Sequence, residues 1–204
     1  TDLLLRDYYN NEWGGPVTSE QGVFERLVLE SFQSGLSWST ILKKREAFRR
    51  AFASFIPEAV AAFTDQDRER LMQDAGIVRN KRKIDAAITN AQAVIALRGA
   101  LAAEAEAYRS GRMGEAPLTH LLRPRQSYPR HLGELVWLYQ PNHQPRPRCA
   151  QEVPAQTEES RALSLELKRR GFVFVGSVTA LALMSAIGIT NTDIIGTWKR
   201  PSNE

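Results

Sequence analysis

The 204-residue chain has one cysteine and three histidines. Cys149 has no partner cysteine, which excludes a disulfide within the chain. His120, His131, His143 and Cys149 are too scattered for the paired spacing of metal ligands, so the sequence predicts neither a metal site nor redox chemistry. We expect no cofactor.

The sequence also lacks an apolar run of the roughly 18 residues that a membrane-spanning helix requires. Its first residues, TDLLLRDYYN, do not show the basic and then apolar pattern of a signal peptide. We therefore expect a cytoplasmic protein without a membrane partner. The hydrophobic content of 43% is ordinary for a globular protein, and the net charge of +4 is compatible with nucleic acid without requiring it.

The apolar spacing and the Ala, Leu, Glu and Arg content predict an all-α protein. The predicted helices cover residues 20–33, 41–54, 57–63, 65–73, 80–98, 99–109, 132–139, 158–170 and 176–187. One short segment, GFVFVG (171–176), resembles a strand but is too short to form a sheet. The segments 110–130 and 140–157 are rich in Gly, Pro and Arg, which predicts loops.

A single carboxylate, Glu30, occurs in the apolar stretch LVLESFQSGLSW (27–38). On a helix it falls at the edge of the arc that would be buried. A buried ionised carboxylate costs several kcal/mol unless it is paired, so Glu30 needs a partner within the protein or a ligand. An internal partner is the commoner outcome, and this stretch alone leaves both open.

The stretch LMQDAGIVRNKRKIDAAI (71–88) is typical of a helix, a short break at Asp74-Ala75-Gly76-Ile77 and a basic second helix. A glycine in the turn permits close backbone approach, and Arg79, Lys81 and Lys83 add positive charge near the N-terminus of the second helix. This helix-hairpin-helix pattern could bind DNA phosphates without reading bases. An ordinary helical corner with solvated charges is the alternative.

Aromatic residues gather near the N-terminus and at a predicted helix joint. Tyr8, Tyr9 and Trp13 lie in YYNNEWG, and Trp38 follows Ser37 at the joint. Such rings either pack in the core, the commoner outcome, or form a stacking slot for a base.

Taken together, these stretches resemble the DNA-3-methyladenine glycosylase I family. The matching segments occur in family order: NNEWGGP (10–16), LESFQSGLSWSTILKKREAFRRAF (29–52), LMQDAGIVRNKRKIDAAITNA (71–91), NHQP (142–145), LKRRGFVFVG (167–176) and GITNTDIIG (188–196). The resemblance implies an all-α helix-hairpin-helix glycosylase fold in one domain, 1–204. A hairpin part at about 39–140, with an insertion near 99–130, would face a wall built from about 1–38 and 141–204 across a cleft.

The resemblance also implies a function and roles for residues. The protein would flip 3-methyladenine out of alkylated double-stranded DNA and release it as the free base by hydrolysis, acting as a monomer without strand cleavage. Glu30 would be the catalytic and base-recognising residue, accepting a hydrogen bond from the exocyclic amine, with Tyr8, Trp13, Phe32 and Trp38 forming the base pocket. The DNA backbone would be bound by residues of the hairpin: Gly76, Ile77, Arg79, Lys81 and Lys83. The alternatives are a paralogue for another alkylated purine, an inactive damaged-DNA-binding module and a protein-interaction scaffold.

This sequence departs from the family where the family commonly joins its termini through zinc. The corresponding positions hold Tyr9, Asp193 and Thr197, and no cysteine precedes Tyr8. We therefore expect no zinc, and instead expect aromatic and apolar residues to join the termini: Tyr8, Tyr9 and Trp13 against Ile194, Ile195 and Trp198. Leu5 and Phe32 replace polar residues that are usual in the family, which bears on the range of substrates.

Overall fold

A computed structural model describes residues 2–200, and these residues form nine α-helices and no extended strand. The helices are α1 (Leu3–Asn11), α2 (Glu20–Gln33), α3 (Trp38–Ala51), α4 (Pro57–Ala61), α5 (Asp65–Gln73), α6 (Lys81–Arg109), α7 (Leu132–Trp137), α8 (Glu158–Arg169) and α9 (Ser177–Ala186). Short 3₁₀ turns occur at Ala53–Phe55, Met113–Glu115, Thr119–Leu121 and Ala150–Glu152. The all-α prediction is confirmed.

Side-chain caps explain where several helices begin. Ser19 accepts a hydrogen bond from the Gly22 N–H at the start of α2, and Thr64 and Asp67 form a reciprocal capping box at the start of α5. Asn80 caps α6 in the same way by accepting from the Lys83 N–H. These local hydrogen bonds satisfy backbone donors that have no partner within the helix.

The structure differs from the sequence prediction in three elements. The helix α1 was not predicted at all, although Asp2 caps it by accepting from the Leu4 and Leu5 N–H groups. The two helices predicted at 80–98 and 99–109 are one continuous helix, α6, because Gly99 faces solvent and does not interrupt the packing of Leu97 and Leu101. The segment 171–176 is not a strand, since Phe174 adopts a positive φ of 56° that reverses the chain.

The core lies around α2, which packs against α3, α6, α7 and α9. Five fully buried phenylalanines fill the space between α2, α3 and the following turn: Phe24, Phe32, Phe48, Phe52 and Phe55. The helix α6 is long and apolar enough to span a membrane by composition, with a mean hydropathy of 1.3 over 18 residues, but half of that stretch is buried within the fold. We interpret α6 as a core helix.

The segment 99–130, where the sequence predicts an insertion, is anchored to the rest of the fold by a buried ionic network. The Tyr128 hydroxyl donates to Glu104 at 2.8 Å, and Arg170 donates to the same carboxylate at 2.9 Å. Arg170 is almost completely buried and also pairs with Glu166. This segment is therefore part of the packed protein on the side of α8.

Candidate functional site

A cavity of about 660 Å³ opens between α1, α2, the start of α3 and the C-terminal segment. Ligand cavities of this size are large enough to hold a nucleobase. Tyr8, Trp13, Glu30 and Trp38 of the predicted base pocket line it. Further lining residues are Asp2, Leu5, Arg6, Tyr9, Gln33, Ala182, Thr192 and Asp193.

Three aromatic rings shape one wall of this cavity. Ser37 caps α3, so that Trp38 is the first residue of that helix and projects toward α1. Its ring centroid lies 5.4 Å from that of Tyr8, which in turn lies 6.2 Å from that of Trp13 in an edge-on arrangement. The planes of these ring pairs are tilted by 49° and 64°, so the rings form an angled apolar wall on which a base can stack against a single ring face.

Three polar atoms at the cavity are buried and have no hydrogen-bond partner within the described chain. They are the Tyr8 hydroxyl, the Glu30 Oε1 atom and the Trp38 indole nitrogen. Leaving a buried polar atom unpaired costs about 1–3 kcal/mol, and native folds do so rarely. Three such atoms at one cavity indicate a ligand that supplies their partners.

The surroundings of Glu30 favour its neutral form in the empty cavity. Burial raises the pKa of Glu30 to about 8 from the ordinary 4.5, and the positive charge of Arg26 opposes this only in part. Burial likewise raises the pKa of the Tyr8 phenol. At neutral pH the cavity therefore carries a protonated carboxyl group that can both donate and accept a hydrogen bond.

The prediction that Phe32 lines the base pocket is corrected by the structure. Phe32 is fully buried in the core, where its ring centroid lies 4.8 Å from that of Phe48. Two residues along a helix correspond to about 200° of rotation, so Phe32 and Glu30 face nearly opposite sides of α2. Leu5, by contrast, lines the cavity and is 37% exposed.

The predicted hairpin is present as α5, a turn and α6. The Gly76 N–H donates to the Asp74 carboxylate at 2.7 Å, and the Lys44 ammonium donates to the carbonyls of Ala75 and Gly76. A Cβ at position 76 would approach Asp74 to 2.9 Å and the Ala47 Cβ to 3.0 Å, so close approach explains the glycine. Because the Gly76 N–H already donates to Asp74, it is not a free donor for a phosphate. The glycine is required because the turn leaves no room for a side chain.

The basic residues of the hairpin divide into exposed and buried groups. Arg79 and Lys81 are exposed, and Lys81 pairs with Asp85 at 2.7 Å. Lys83 is 9% exposed, and its ammonium donates to the carbonyls of Phe32 and Ser34. The prediction that Lys83 contacts phosphate is therefore corrected. Lys83 follows the exposed Lys81 by two positions on α6, a rotation of about 200°, so its side chain faces the core and holds the C-terminal end of α2. Ile77 is also buried, at 3% exposure, and can only contribute its backbone.

The positions that correspond to the family's zinc ligands do not fit a zinc ion in this chain. The Tyr9 hydroxyl donates to the Asp193 carboxylate at 2.9 Å, and Thr197 donates to the Ile194 carbonyl. Burial and the neighbouring Asp193 raise the pKa of Tyr9 to about 12, so its phenol stays neutral and is a poor metal ligand. Within residues 2–200 no three His, Cys, Asp or Glu side chains come together as a metal site.

Aromatic packing and a lysine join the two ends of the described chain instead. The rings of Tyr9 and Trp198 meet edge-on with centroids 6.4 Å apart. The Lys199 ammonium lies 4.7 Å from the Tyr9 ring centroid and donates to the Trp13 carbonyl. The predicted contact between the termini is therefore present for Tyr9 and Trp198.

An ionic network behind the cavity was not anticipated from the sequence. Glu12 accepts two hydrogen bonds from Arg45, at 2.6 and 2.8 Å, and one from Arg26 at 3.2 Å. Arg45 in turn lies 5.7 Å from the Tyr8 ring centroid. The spacing of Arg26 four residues before Glu30 was the only sequence signal that could have pointed to this network.

Comparison with known proteins assigns the family. The family model for methyladenine glycosylases matches residues 1–130 and 120–200. The chain belongs to this methyladenine glycosylase family. An Escherichia coli relative, DNA-3-methyladenine glycosylase 1, is 39% identical over the whole of this chain and 95% of its own length.

Solved structures of the family have the same fold. A crystal structure of 3-methyladenine DNA glycosylase I superposes with a TM-score of 0.78 and 34% identity, covering 98% of this chain and 96% of its own. The Staphylococcus aureus enzyme, solved to explain how it recognises 3-methyladenine, gives a TM-score of 0.76 at 29% identity over the whole of this chain and 93% of its own. The resemblance inferred from the motifs is confirmed.

Proposed function

We propose that this protein is a monofunctional DNA glycosylase that flips 3-methyladenine out of alkylated DNA and releases it by hydrolysis. The observation that carries the proposal is the convergence of the unpaired polar atoms of Tyr8, Glu30 and Trp38 on one cavity, in a chain of the methyladenine glycosylase family. The name of the Escherichia coli relative and the subject of the Staphylococcus aureus structure support the same substrate.

The chemistry requires recognition of the base more than acid catalysis. Methylation at N3 makes adenine cationic in the nucleoside, so the glycosidic bond is weak and the base leaves as a neutral molecule. The protein must extrude the nucleotide, hold the base and admit water to the sugar as positive charge develops there. Stacking of the base on the face of the Trp38 ring, beside Tyr8, would supply the stacking part of this recognition.

Glu30 would distinguish the damaged base from adenine through charge. A cation placed beside a buried carboxyl group favours the ionised form of that group, so a cationic base would bind together with loss of the Glu30 proton. Neutral adenine carries no positive charge that would stabilise a buried carboxylate. The exocyclic amine of the flipped base would then donate to the unpaired Glu30 Oε1 atom.

The lining of the cavity supports release of the base without strand cleavage. Within the described chain no lysine lines the cavity that could attack the sugar. The two aspartates there are already engaged, since Asp2 accepts from Ser39 and Asp193 accepts from Tyr9. We therefore assign water, and no side chain, as the nucleophile.

The hairpin would hold the DNA backbone beside this cavity. All the residues that line the cavity fall within 1–38 and 141–204, whereas the hairpin turn falls within 39–140, which supports the proposed division into a wall and a hairpin part. The N–H groups of Gly76 and Ile77 already donate to Asp74, so these two residues would shape the turn that approaches the DNA backbone. The exposed cations Arg79 and Lys81 would contact phosphates.

Incubation of the protein with methylated duplex DNA, followed by chromatography of the released bases, tests the proposal. We expect free 3-methyladenine and an uncleaved strand. Release of another alkylated purine alone would favour the paralogue. Tight binding of methylated DNA with no release would favour an inactive damage-binding module, and no DNA binding would favour a scaffold.

A further inference from the structure

Arg26 and Glu30 lie one turn apart on α2 and do not form an ion pair. Residues four apart on a helix are neighbours, and Arg and Glu at this spacing ordinarily pair. Both side chains are largely buried, with Arg26 12% and Glu30 4% exposed. Yet the Glu30 Oε1 atom and the Arg26 Nε atom each lack a hydrogen-bond partner within the described residues.

Glu12 holds the Arg26 guanidinium elsewhere. Its Oε2 atom lies 3.2 Å from the Arg26 Nη2 atom and 2.6 Å from the Arg45 Nη1 atom. The Glu12 backbone N–H donates to the Tyr8 carbonyl at the end of α1. This hydrogen bond fixes the backbone from which the Glu12 side chain extends. Glu25 makes only a longer contact with Arg26, at 3.5 Å.

We propose that Glu12 is a positioning residue that restrains Arg26 and thereby keeps the Glu30 carboxyl group free to receive the flipped base. The proposal rests on the proposed function of Glu30. Glu12 itself stays ionised, because its bonds to Arg45 hold the pKa of its carboxyl group below the ordinary value.

Arg6 of α1 lines the same cavity but is exposed to solvent. Among the buried cations near Glu30 in the described residues, only Arg26 is not fully paired. From α1 the Tyr8 phenol faces the cavity, and from α3 Arg45 approaches the Tyr8 ring but donates both of its terminal nitrogens to Glu12. Asp193, on the C-terminal segment, accepts from Tyr9. Removing the Glu12 charge would therefore release both arginines, and of the two Arg26 lies one turn from Glu30 on the same helix.

Released Arg26 would change both the charge and the availability of Glu30. An adjacent guanidinium favours the carboxylate, so the pKa of Glu30 would fall. The flipped base would then have to displace a buried ion pair before it could bind, and breaking such a pair is costly. The loss would appear mainly in KM and in the pH profile.

The test compares Glu12→Gln with the double variant Glu12→Gln/Arg26→Met. We expect Glu12→Gln to lower kcat/KM for 3-methyladenine release by about tenfold or more, and to move the acidic part of its pH profile downward. The double variant, which removes the competing cation, should recover to within about threefold of the wild type. Glu25→Gln is the matched control, because it removes a carboxylate from the same guanidinium and leaves Glu12 in place; we expect a change of less than about twofold.

Equal losses in Glu12→Gln and in the double variant would overturn the proposal and assign the effect of Glu12 to its anchoring of Arg45. If Glu12→Gln does not fold, Glu12→Asp shortens the reach of the carboxylate to both arginines while keeping its charge, and the same rescue by Arg26→Met is expected. Titration of Glu30 by carbon-13 NMR in DNA-free protein separates this proposal from the proposed function. The Glu30 pKa should fall in Glu12→Gln and rise in the double variant to the wild-type value or above it, because Arg26 already lowers it in the wild type. An unchanged pKa in Glu12→Gln would contradict the proposal even if the wild type releases no base.

Discussion

Two neighbouring tyrosines of α1 have opposite surroundings. Within residues 2–200 the Tyr8 hydroxyl is buried at the cavity without a partner, as are the Glu30 Oε1 atom and the Trp38 indole nitrogen. One residue further on, the Tyr9 hydroxyl donates to Asp193 at 2.9 Å. The two sides of one helix turn therefore differ in whether the fold satisfies its own polar groups.

This difference separates a site for a ligand from a structural joint. A buried polar atom without a partner lowers the stability of the empty protein, and a bound ligand can recover that free energy. The junction of Tyr9, Asp193 and Lys199 needs no ligand, because its groups satisfy one another. The two carboxylates of the cavity differ in the same way, since Asp193 is paired with Tyr9 and the Glu30 Oε1 atom has no partner within the described residues.

The largest expected effect is on the pH dependence of stability. Burial raises the folded pKa of Glu30 to about 8 from 4.5, so between these values the folded state keeps a proton that the unfolded state loses. The free energy of unfolding should then fall with rising pH by up to about 1.4 kcal/mol per pH unit, and level off above pH 8. Glu30→Gln removes this titrating group, so the free energy of unfolding of the variant, measured in urea, should rise relative to that of the wild type from pH 5 to pH 8. Parallel curves for the two proteins would show that Glu30 ionises normally.

The second prediction concerns excision. Glu30→Gln should lower 3-methyladenine release by about 10- to 150-fold, the equivalent of about 1.5–3 kcal/mol for a hydrogen bond to a charged group. Affinity for undamaged duplex should change by less than about twofold, because it depends on cation–phosphate contacts elsewhere.

Asp193→Asn is the matched control for this prediction, since Asp193 lines the same cavity but is already paired with Tyr9. We expect it to reduce release by less than about threefold. Single-turnover kinetics measure release and fluorescence anisotropy measures duplex affinity. An equal loss in both variants would remove the distinction between paired and unpaired carboxylates.

The third prediction extends the comparison to two lysines of the hairpin. Lys81→Ala should flatten the dependence of log K on log salt by about 0.9 for DNA of any sequence, the value for one lost phosphate contact. Lys83→Ala should leave that slope unchanged and lower the free energy of unfolding by about 1–2 kcal/mol, because the carbonyls of Phe32 and Ser34 lose their donor. Identical salt slopes for Lys81→Ala and the wild type would exclude Lys81 from the DNA contact.

Local patterns predicted most of the fold and the position of the cavity. Thr64 and Asp67 cap α5 through a pattern visible in the sequence, because capping depends on residues three apart. Glu30 was identified as unusual because a carboxylate in an apolar helical arc needs a partner. The continuity of α6 through Gly99 was missed, since exposure of that glycine depends on packing across the whole helix.

What the sequence could not predict depends on contacts between distant residues. The Lys83 ammonium reaches carbonyls 49 and 51 residues away, so only the folded chain shows that it is engaged. Glu12 lies 14 and 33 residues from the arginines that it binds. The family resemblance supplied roles for Glu30 and Trp38, whereas the restraint of Arg26 belongs to this chain's own contacts.

The smallest effects are expected at the paired junction. Tyr9→Phe removes one hydrogen bond, to Asp193, and should lower the free energy of unfolding by about 0.5–1.5 kcal/mol without slowing base release. Tyr9→Ala should cost more, because the contacts of its ring with Trp198 and the Lys199 ammonium are lost as well.

Chelator should leave the melting temperature unchanged and elemental analysis should find substoichiometric zinc, since a neutral phenol, a threonine hydroxyl and one carboxylate do not make a tetrahedral zinc site. A melting temperature that falls on chelation, or one zinc per chain, would show that a metal ion and not the Tyr9–Asp193 hydrogen bond joins the termini.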